Sequence, residues 1–215
     1  MIKLMVSDMD GTLLEKGKEF ISDNINNIIK ELKSKDIIFA IASGRHYNDL
    51  YRITKEIDGI YYICCDGGCI IYNNEVIYKK EINKSLIKKI KDVYYHTPFE
   101  IKKCYEEKDS IVKISTSNKG FTETPAGTYE IYRDKDWREW ISFDCGKGQA
   151  VDFLQKENNI KACETAVFGD NFNDTGMFRK AGKKYCMKNA PTQVRMMCNS
   201  FIDDIEKSLK EAGGI

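Results

Sequence analysis

Four short polar segments hold the residue types and spacings that could carry chemistry. They are Asp8-Met9-Asp10-Gly11-Thr12, Ser43-Gly44-Arg45, Gly146-Lys147-Gly148 and Gly169-Asp170-Asn171-Phe172-Asn173-Asp174. The segment with Lys147 begins a predicted helix, and the other three follow predicted strands. A single acidic residue in such a place can simply cap a turn or a helix. Because an open parallel sheet binds ligands beyond the carboxyl ends of its strands, four segments meeting at that edge indicate one functional site.

The carboxylates of these segments predict a magnesium site. Asp8, Asp10, Asp170 and Asp174 would repel one another at one sheet edge unless a cation neutralised them. The segments contain no His or Cys. Ligands that are all oxygen suit Mg²⁺, which typically binds one or two carboxylates together with phosphate oxygens and water.

Donors for a phosphoryl group lie beside the carboxylates. Lys147 supplies a cation and Ser43 a hydroxyl, and the turns at Gly11 and Gly44 expose backbone N–H groups. Carboxylates, a cation and backbone donors at one edge are what phosphoryl chemistry needs, because positioning and charge neutralisation do most of its work.

The order and types of these segments resemble the four motifs of the haloacid dehalogenase superfamily. Those motifs are D-x-D-G-T, a serine after the second strand, a later lysine and G-D-x-x-N-D, and here they extend from Asp8 to Asp174. Their spacing resembles the Cof-like branch of sugar-phosphate phosphatases, whose α/β cap is inserted after the third core strand. The resemblance implies a Mg²⁺-dependent phosphatase that hydrolyses a small phosphorylated metabolite through an aspartyl-phosphate intermediate.

The resemblance also implies a role for each matching residue. Asp8 attacks phosphorus, and Asp10 protonates the leaving alcohol and then activates the water that hydrolyses the intermediate. Mg²⁺ is held by Asp8, the backbone carbonyl of Asp10, and Asp170. The implied phosphate ligands are Gly11, Ser43, Gly44, Asn173 and Lys147, of which Lys147 is also counted as catalytic. Asp174 is expected to support the metal ligands or Lys147 from behind.

The sequence departs from that branch in two ways. Asp66-Gly67-Gly68 stands where the branch usually has Asn-Gly-Ala. The extra carboxylate either repels an anionic substrate or caps a turn, and the turn cap is favoured. The inserted region is also short for the branch, and only one helix can be predicted in it. Since the cap decides the substrate in this family, the sequence does not identify the phosphate ester.

Several side chains outside the motifs have two interpretations. The aromatic residues of the inserted region either stack on a sugar or base or pack against its helix, and packing is favoured; they are Tyr129, Tyr132, Trp137 and Trp140. Arg45 either reaches the substrate or is an exposed residue at a helix start.

The elements that must position the motifs form an α/β pattern. Strands are predicted at 2–7, 37–42, 60–65, 165–168, 184–187 and 201–202, with a hairpin of 70–72 and 76–78 around Asn73-Asn74. Helices are predicted at 21–34 (N-cap Ser22), 47–57, 147–157 and 174–181, around Gln193, and at the end of the chain. Alternating strands and helices predict a parallel sheet with helices on both faces.

The middle of the chain has a different pattern. A helix at 84–95 is followed by strands at 100–106, 110–116, 128–132 and 139–143, which is typical of a small α+β unit. The predicted fold is therefore a three-layer, Rossmann-like parallel-sheet core of residues 1–80 and 145–215 with a small α+β cap inserted at 81–144.

Composition narrows the class of partner. Lys and Arg number 34 and Asp and Glu 33, so no one-sided surface for nucleic acid or membrane is expected. The N-terminal segment reaches an acidic residue after a few apolar ones, which predicts neither a signal peptide nor a membrane span and hence a cytoplasmic protein. The 8 cysteines have no C-x-x-C spacing and are expected to be reduced and packed as small apolar residues. The oligomeric state is not predicted.

Two other functions use the same residues. A phosphomutase or phosphoryl transferase would need a cap rich in phosphate-binding arginine, and this segment offers only Arg133 and Arg138. A regulatory protein of the same fold, without activity, would normally lack Asp8, Asp10, Lys147 or Asp170. All four are present, which favours an active enzyme.

Overall fold

A computed structural model of the chain describes residues 1–87, 92–117 and 124–215, which contain two sheets. The strands are, in chain order, β1 (Leu4–Asp8), β2 (Ile38–Ala42), β3 (Tyr61–Cys64), β4 (Cys69–Tyr72), β5 (Glu75–Lys79), β6 (Val93–His96), β7 (Ile101–Lys102), β8 (Lys113–Ser117), β9 (Thr128–Arg133), β10 (Trp137–Ser142), β11 (Thr165–Gly169), β12 (Lys183–Met187) and β13 (Ser200–Ile202). The α-helices are α1 (Asp23–Ser34), α2 (Tyr47–Ile53), α3 (Lys84–Ile87), α4 (Lys147–Glu157), α5 (Thr175–Phe178), α6 (Thr192–Arg195) and α7 (Ile205–Gly213). Within those three ranges, no helix combines the length and apolar character that crossing a membrane requires.

Eight strands form a mixed sheet in the order β13-β12-β11-β1-β2-β3-β4-β5. The pairs from β13 to β3 are parallel, and β4 and β5 add an antiparallel hairpin at one edge. The hairpin predicted at Asn73-Asn74 is confirmed. Both asparagines adopt the positive φ that a tight two-residue turn needs.

Helices cover both faces of this sheet and give the core three layers. The side chains of β1 alternate between the faces: Met5 packs in a buried cluster with α1, α2 and α7, whereas Leu4 and Val6 pack with α4, α5 and α6. Since both faces are buried, the central strands are apolar at nearly every position. The predicted three-layer α/β core is confirmed.

Two core helices are shorter than predicted. The helix predicted at 47–57 ends at Ile53, because Lys55 and Glu56 adopt a positive φ that an α-helix cannot contain. The helix predicted at 174–181 is a 3₁₀ turn, Phe172–Asp174, followed by the single turn of α5. The helix start predicted at Ser22 is confirmed, since its hydroxyl accepts a hydrogen bond from the N–H of Ile25 at 3.1 Å.

The other five strands form an antiparallel sheet in the order β7-β6-β8-β10-β9. All of them lie inside residues 81–144, the segment predicted to form the cap. We call this segment the cap and the remainder the core. The second sheet, with the short helix α3, has the α+β character that the sequence indicated.

The helix predicted at 84–95 is wrong in its last part. Among the described residues of this segment, Lys84–Ile87 is helical and Val93–His96 is a strand that pairs with β8. Val93, Tyr94 and Tyr95 are residues that favour strands when a neighbouring strand is available. Residues 88–91 lie outside the described part of the chain. The charge pattern of Lys84, Lys88, Lys89 and Lys91 indicates the solvated face of a helix, and the last three of these lysines lie outside the described residues.

The cap has a small hydrophobic centre that accounts for most of its aromatic residues. Trp140 is fully buried with Ile114 and Val93, and the guanidinium of Arg138 lies 4.8 Å from its ring. Trp137 packs against Tyr94. The Tyr129 hydroxyl donates to the carbonyl of Cys145 at 2.9 Å. Packing, the favoured interpretation, therefore describes Trp140 and Trp137, whereas Tyr129 and Tyr132 are both exposed.

His96 should make the unfolding free energy of the cap depend on pH. It is buried, its Nε2 lies 2.7 Å from the Ser115 hydroxyl, and burial, with the nearby charge of Lys113, lowers its pKa to about 3. An unfolded His titrates near 6.5, so the unfolded state takes up a proton first as the pH falls. We expect the cap to lose about 2 kcal/mol of unfolding free energy between pH 7.5 and pH 5.

Urea unfolding followed by tryptophan fluorescence measures this loss, because both tryptophans, Trp137 and Trp140, lie in the cap strand β10. The matched variant is His96→Gln, which keeps a donor for Ser115 but does not titrate. Its unfolding free energy should vary less over the same pH range. Equal pH dependence in both proteins would show that His96 is not the responsible group.

Candidate active site

Three neighbouring strands bring three of the four motifs together. The order β11-β1-β2 is parallel, so Asp170, Asp8 and Ser43 all follow the carboxyl end of a strand at one edge of the sheet. The start of α4 brings Lys147 to the same edge. A Cβ atom on Gly67, whose φ is +93°, would lie 2.2 Å from the carbonyl carbon of Gly146, so glycine is required for this close approach.

Lys147 is the centre of the site. Its ammonium, almost fully buried, donates to Oδ1 of Asp8 at 2.6 Å and to Oδ1 of Asp174 at 2.7 Å. Burial opposes the charge, but the carboxylates of Asp174 and Asp8 outweigh it and raise the pKa of Lys147. The lysine is therefore a fixed cation that links the first and last motifs.

Three carboxylates form a candidate cation site. Single oxygens of Asp8, Asp170 and Asp174 all lie within 4.8 Å of one another. Burial and the neighbouring charge of Asp174 raise the pKa of Asp170 to about 6, and burial, together with Asp174 and Asp170, raises that of Asp8. With Lys147 as the counter-charge, three carboxylates leave two negative charges. This donor set fits a divalent cation that prefers oxygen.

Asp174 is already occupied by protein donors. Its Oδ1 accepts from Lys147, and its Oδ2 accepts from the backbone N–H groups of Asp170 and Asn171 at 3.0 and 3.1 Å. These bonds fix the loop that carries Asp170. Asp174 therefore contacts both Lys147 and the loop that carries Asp170, and its supporting role stays a prediction.

Asp10 lies at the mouth of the site and pairs with Arg45. The guanidinium donates from Nε and Nη2 to the two oxygens of the carboxylate at 2.9 and 2.7 Å. Neither interpretation of Arg45 from sequence included this contact. The turn between Asp8 and Asp10 continues at Gly11, which has a φ of +90°. A Cβ atom there would lie 2.5 Å from the carboxylate of Asp170.

Ser43 and Gly44 follow β2 beside Asp8. The Ser43 side chain is buried, and its hydroxyl accepts from the N–H of Arg45 at 3.2 Å. A Cβ atom on Gly44 would lie 2.9 Å from a carboxylate oxygen of Asp66. Asp66 is thus packed against one of the predicted phosphate-binding turns.

Asp66 belongs to the site, and the favoured interpretation of it as a turn cap is wrong. Its carboxylate is buried and accepts from Lys113 at 2.9 Å and from the side-chain amide of Asn173 at 3.1 Å. Burial opposes ionisation, but Lys113 and Lys147 outweigh it and lower the pKa of Asp66. The carboxylate is therefore a charged group between the core and the cap.

Sequence reasoning missed Lys113 and Glu139, both on cap strands. The buried ammonium of Lys113 contacts Asp66, Oε2 of Glu139 at 2.5 Å and the carbonyl of Gly44 at 3.2 Å. One signal was available: Lys113 stands in the apolar run Ile111–Ile114, where a charge needs a buried partner. The identity of that partner could not be deduced from the sequence.

A cavity of about 450 Å³ lies above these residues, between core and cap. Its core side includes Asp8, Asp10, Ser43, Gly44, Asp66, Asp170 and Asn173. Its cap side is formed by Ile131, Tyr132, Arg133 and Glu139. Lys147 and Asp174 lie behind Asp8, and Gly11 lies on the other side of Asp10. The structure thus brings the predicted site residues to one sheet edge and adds a roof of cap residues.

Comparison with known proteins agrees with this geometry. The family model of the haloacid dehalogenase-like hydrolases matches residues 5–140 and 136–208. The chain is 28% identical to a phosphoglycolate phosphatase of Picrophilus torridus, a match that covers 93% of this chain and 84% of the relative. It is 24% identical to the 5-amino-6-(5-phospho-D-ribitylamino)uracil phosphatase of Escherichia coli, with 90% and 88% covered.

A solved structure of a phosphatase of the same superfamily from Bacteroides thetaiotaomicron superposes with a TM-score of 0.85. It is 19% identical, and the match covers 100% of this chain and 96% of that one. That similarity supports the fold. The family model extends over most of the chain and confirms both the predicted family and the prediction of an enzyme. The chain belongs to the haloacid dehalogenase-like hydrolases.

Proposed function

We propose that the protein is a Mg²⁺-dependent phosphomonoesterase that acts on a small phosphorylated metabolite, such as a sugar phosphate, through an aspartyl-phosphate intermediate. One observation carries the proposal. Lys147 joins Asp8 and Asp174 by contacts of 2.6 and 2.7 Å beside Asp170, at the floor of a cavity large enough for a small ester. A carboxylate held by a buried cation is a nucleophile fixed in orientation.

Asp8 is the proposed nucleophile. Lys147 holds Oδ1 and so restrains the Asp8 carboxylate. The carboxylate then attacks phosphorus while the ester oxygen leaves in line. The proposed ligands of the phosphoryl oxygens are the Lys147 ammonium, the Ser43 hydroxyl, the backbone N–H groups of the Gly11 and Gly44 turns, and the amide of Asn173. Asn173 now donates to Asp66, so it would exchange that bond for one to the substrate.

Asp10 is the proposed acid and base. It gives a proton to the leaving alcohol and then takes one from the water that hydrolyses the aspartyl phosphate, so its protonation state is restored. Both of its oxygens accept from Arg45, and the pair is partly exposed at the cavity mouth. Substrate entry would therefore exchange the Arg45 contact for one to the leaving oxygen.

The residues proposed to hold Mg²⁺ are Asp8, the backbone carbonyl of Asp10, and Asp170. When bound, the cation would neutralise these carboxylates and the negative charge of the phosphoryl group. The two negative charges that remain around Lys147 support a divalent ion.

Two rival functions have less support from the residues of the site. A phosphomutase must retain a second phosphoryl group, and both candidate arginines, Arg133 and Arg138, pair with Glu130. A regulatory protein without activity would not need oxygens of Asp8, Asp170 and Asp174 within 4.8 Å of one another, two of these carboxylates being bonded to Lys147. We also propose 1–80 with 145–215 as the core and 81–144 as the cap, on the ground that each sheet lies within its own segment.

The proposal predicts that phosphate-ester hydrolysis requires Mg²⁺. Excess EDTA should abolish turnover, and added Mg²⁺ should restore it. Ca²⁺ should inhibit, because it prefers more ligands at longer distances and would let Asp8 bind through both oxygens. The measurement is release of phosphate from a panel of sugar phosphates, nucleotides and pyridoxal phosphate.

A second readout separates binding from catalysis. Mg²⁺ should raise the melting temperature of the wild-type protein by neutralising the carboxylates, and it should do so much less for Asp170→Asn. Asp203→Asn, a change on the exposed surface, should behave as the wild type. Full activity in EDTA would refute the metal assignment.

A further inference from the structure

The cavity above Asp8 has an apolar wall that the proposed chemistry does not use. Phe172 is 55% exposed and Tyr132 is 48% exposed, although both line this cavity. Phe172 belongs to the core loop between Asp170 and Asp174, whereas Tyr132 and its neighbour Ile131 belong to the cap strand β9. Apolar side chains therefore face the cavity from both the core and the cap.

The backbone holds Phe172 in place. Its N–H donates to Oδ1 of Asn171 at 2.8 Å, and the N–H of Asn171 donates to Asp174, the residue that also binds Lys147. The Tyr132 hydroxyl donates to Asp134 at 2.9 Å, which anchors one end of its ring. Rings with fixed anchors lose little conformational freedom when a flat ligand covers them.

The charges of the cavity wall do not favour a second anion on the substrate. Asp66 and Glu139 line the wall, and both are held by Lys113 behind them. Arg133 is the one cationic side chain among the described lining residues, and it pairs with Glu130 at 2.6 Å. A carboxylate or second phosphate on the substrate would therefore meet acidic groups before it met a cation.

We propose that the substrate is a phosphate ester whose alcohol carries a flat, uncharged ring, and that Phe172 and Tyr132 hold this ring. The proposal rests on the phosphatase function and narrows its substrate class. The phosphoryl group lies on Asp8 and Lys147, and the ring lies against Phe172, Ile131 and Tyr132. Phe172 and Tyr132 are then the residues that determine specificity, and they take no part in the transfer of the phosphoryl group.

The test compares benzyl phosphate with ethyl phosphate, two esters whose alcohols have similar acidity and differ by the ring. For the wild-type protein with Mg²⁺, we expect kcat/KM to be about tenfold higher for benzyl phosphate. Phe172→Ala and Tyr132→Ala should each reduce this ratio several-fold, mainly by raising KM for benzyl phosphate. The matched control is Phe201→Ala, which removes a ring that is 53% exposed on β13 of the core. It should leave the ratio unchanged.

A third ester, 2-phosphoglycolate, tests the charge argument. It should be a poorer substrate than benzyl phosphate because its carboxylate meets Asp66 and Glu139. Hydrolysis of all three esters without a preference for the ring, or a preference that survives both alanine variants, would overturn the ring proposal and leave the phosphatase proposal intact. No turnover of any ester with Mg²⁺ would overturn both.

Discussion

Replacing Asp8 with asparagine is expected to reduce phosphate-ester hydrolysis by about four orders of magnitude or more. The amide has nearly the same shape as the carboxylate, but it cannot attack phosphorus. Asp8 Oδ1 accepts from Lys147 at 2.6 Å, and an asparagine oxygen can accept the same bond. The geometry of the site should therefore persist while the nucleophile is lost, and phosphate release under saturating Mg²⁺ measures the difference.

The same variant should remain folded. Burial and the charges of Asp174 and Asp170 raise the pKa of Asp8, which means that the ionised carboxylate costs stability in the protein without metal. Removing this charge should leave the unfolding free energy of that protein unchanged or higher. Asp203→Asn, which alters an exposed acid paired with Lys188, is the control. Retention of more than about one per cent of the wild-type rate would sink the nucleophile assignment.

The parts of the site that the sequence predicted are those fixed by local structure. Asp8, Ser43 and Asp170 each end a buried strand, and parallel strands carry such residues to one edge whatever the details of packing. The β4–β5 hairpin was predictable for a similar reason, since Asn73-Asn74 favours a tight turn by itself. In each of these cases, short-range patterns are sufficient to determine the structure.

The parts that could not be predicted depend on partners distant in the chain. Asp66 and Lys113 are far apart in sequence, and only the docking of the cap on the core brings them to 2.9 Å. Arg45 was visible beside Ser43, but its bidentate contact with Asp10 depends on how two loops meet. Local periodicity predicts a helix through residue 95, but Val93–His96 pairs with β8, and this tertiary contact outweighs the local pattern.

Replacing Lys113 with methionine should destabilise the protein by about 3–5 kcal/mol. The ammonium is buried between Asp66 and Glu139, and methionine replaces its stem without the charge. Asp66 would then be a buried carboxylate that keeps its bond to Asn173 and has lost its nearest cation. Glu139 is partly exposed, so water can compensate for part of its loss. Urea unfolding at pH 7.5, followed by tryptophan fluorescence, measures the effect on the cap.

The double variant Lys113→Met with Asp66→Asn separates charge from packing. Asparagine removes the uncompensated charge and can still accept from Asn173, so the double variant should recover much of the lost unfolding free energy. The control is Lys108→Met, a change of an exposed cap lysine that should cost less than about 0.5 kcal/mol.

Lys113→Met and the double variant with Asp66→Asn should also differ in KM. An unpaired Asp66 beside Gly44 would repel the incoming phosphate ester, so Lys113→Met should raise KM by about tenfold and change kcat less. Asp66→Asn added to it should bring KM back toward the wild-type value, because the repelling charge is gone. If Lys113→Met unfolds no more easily than Lys108→Met, or if Asp66→Asn restores neither stability nor KM, the buried pair is not what joins the cap to the phosphate site.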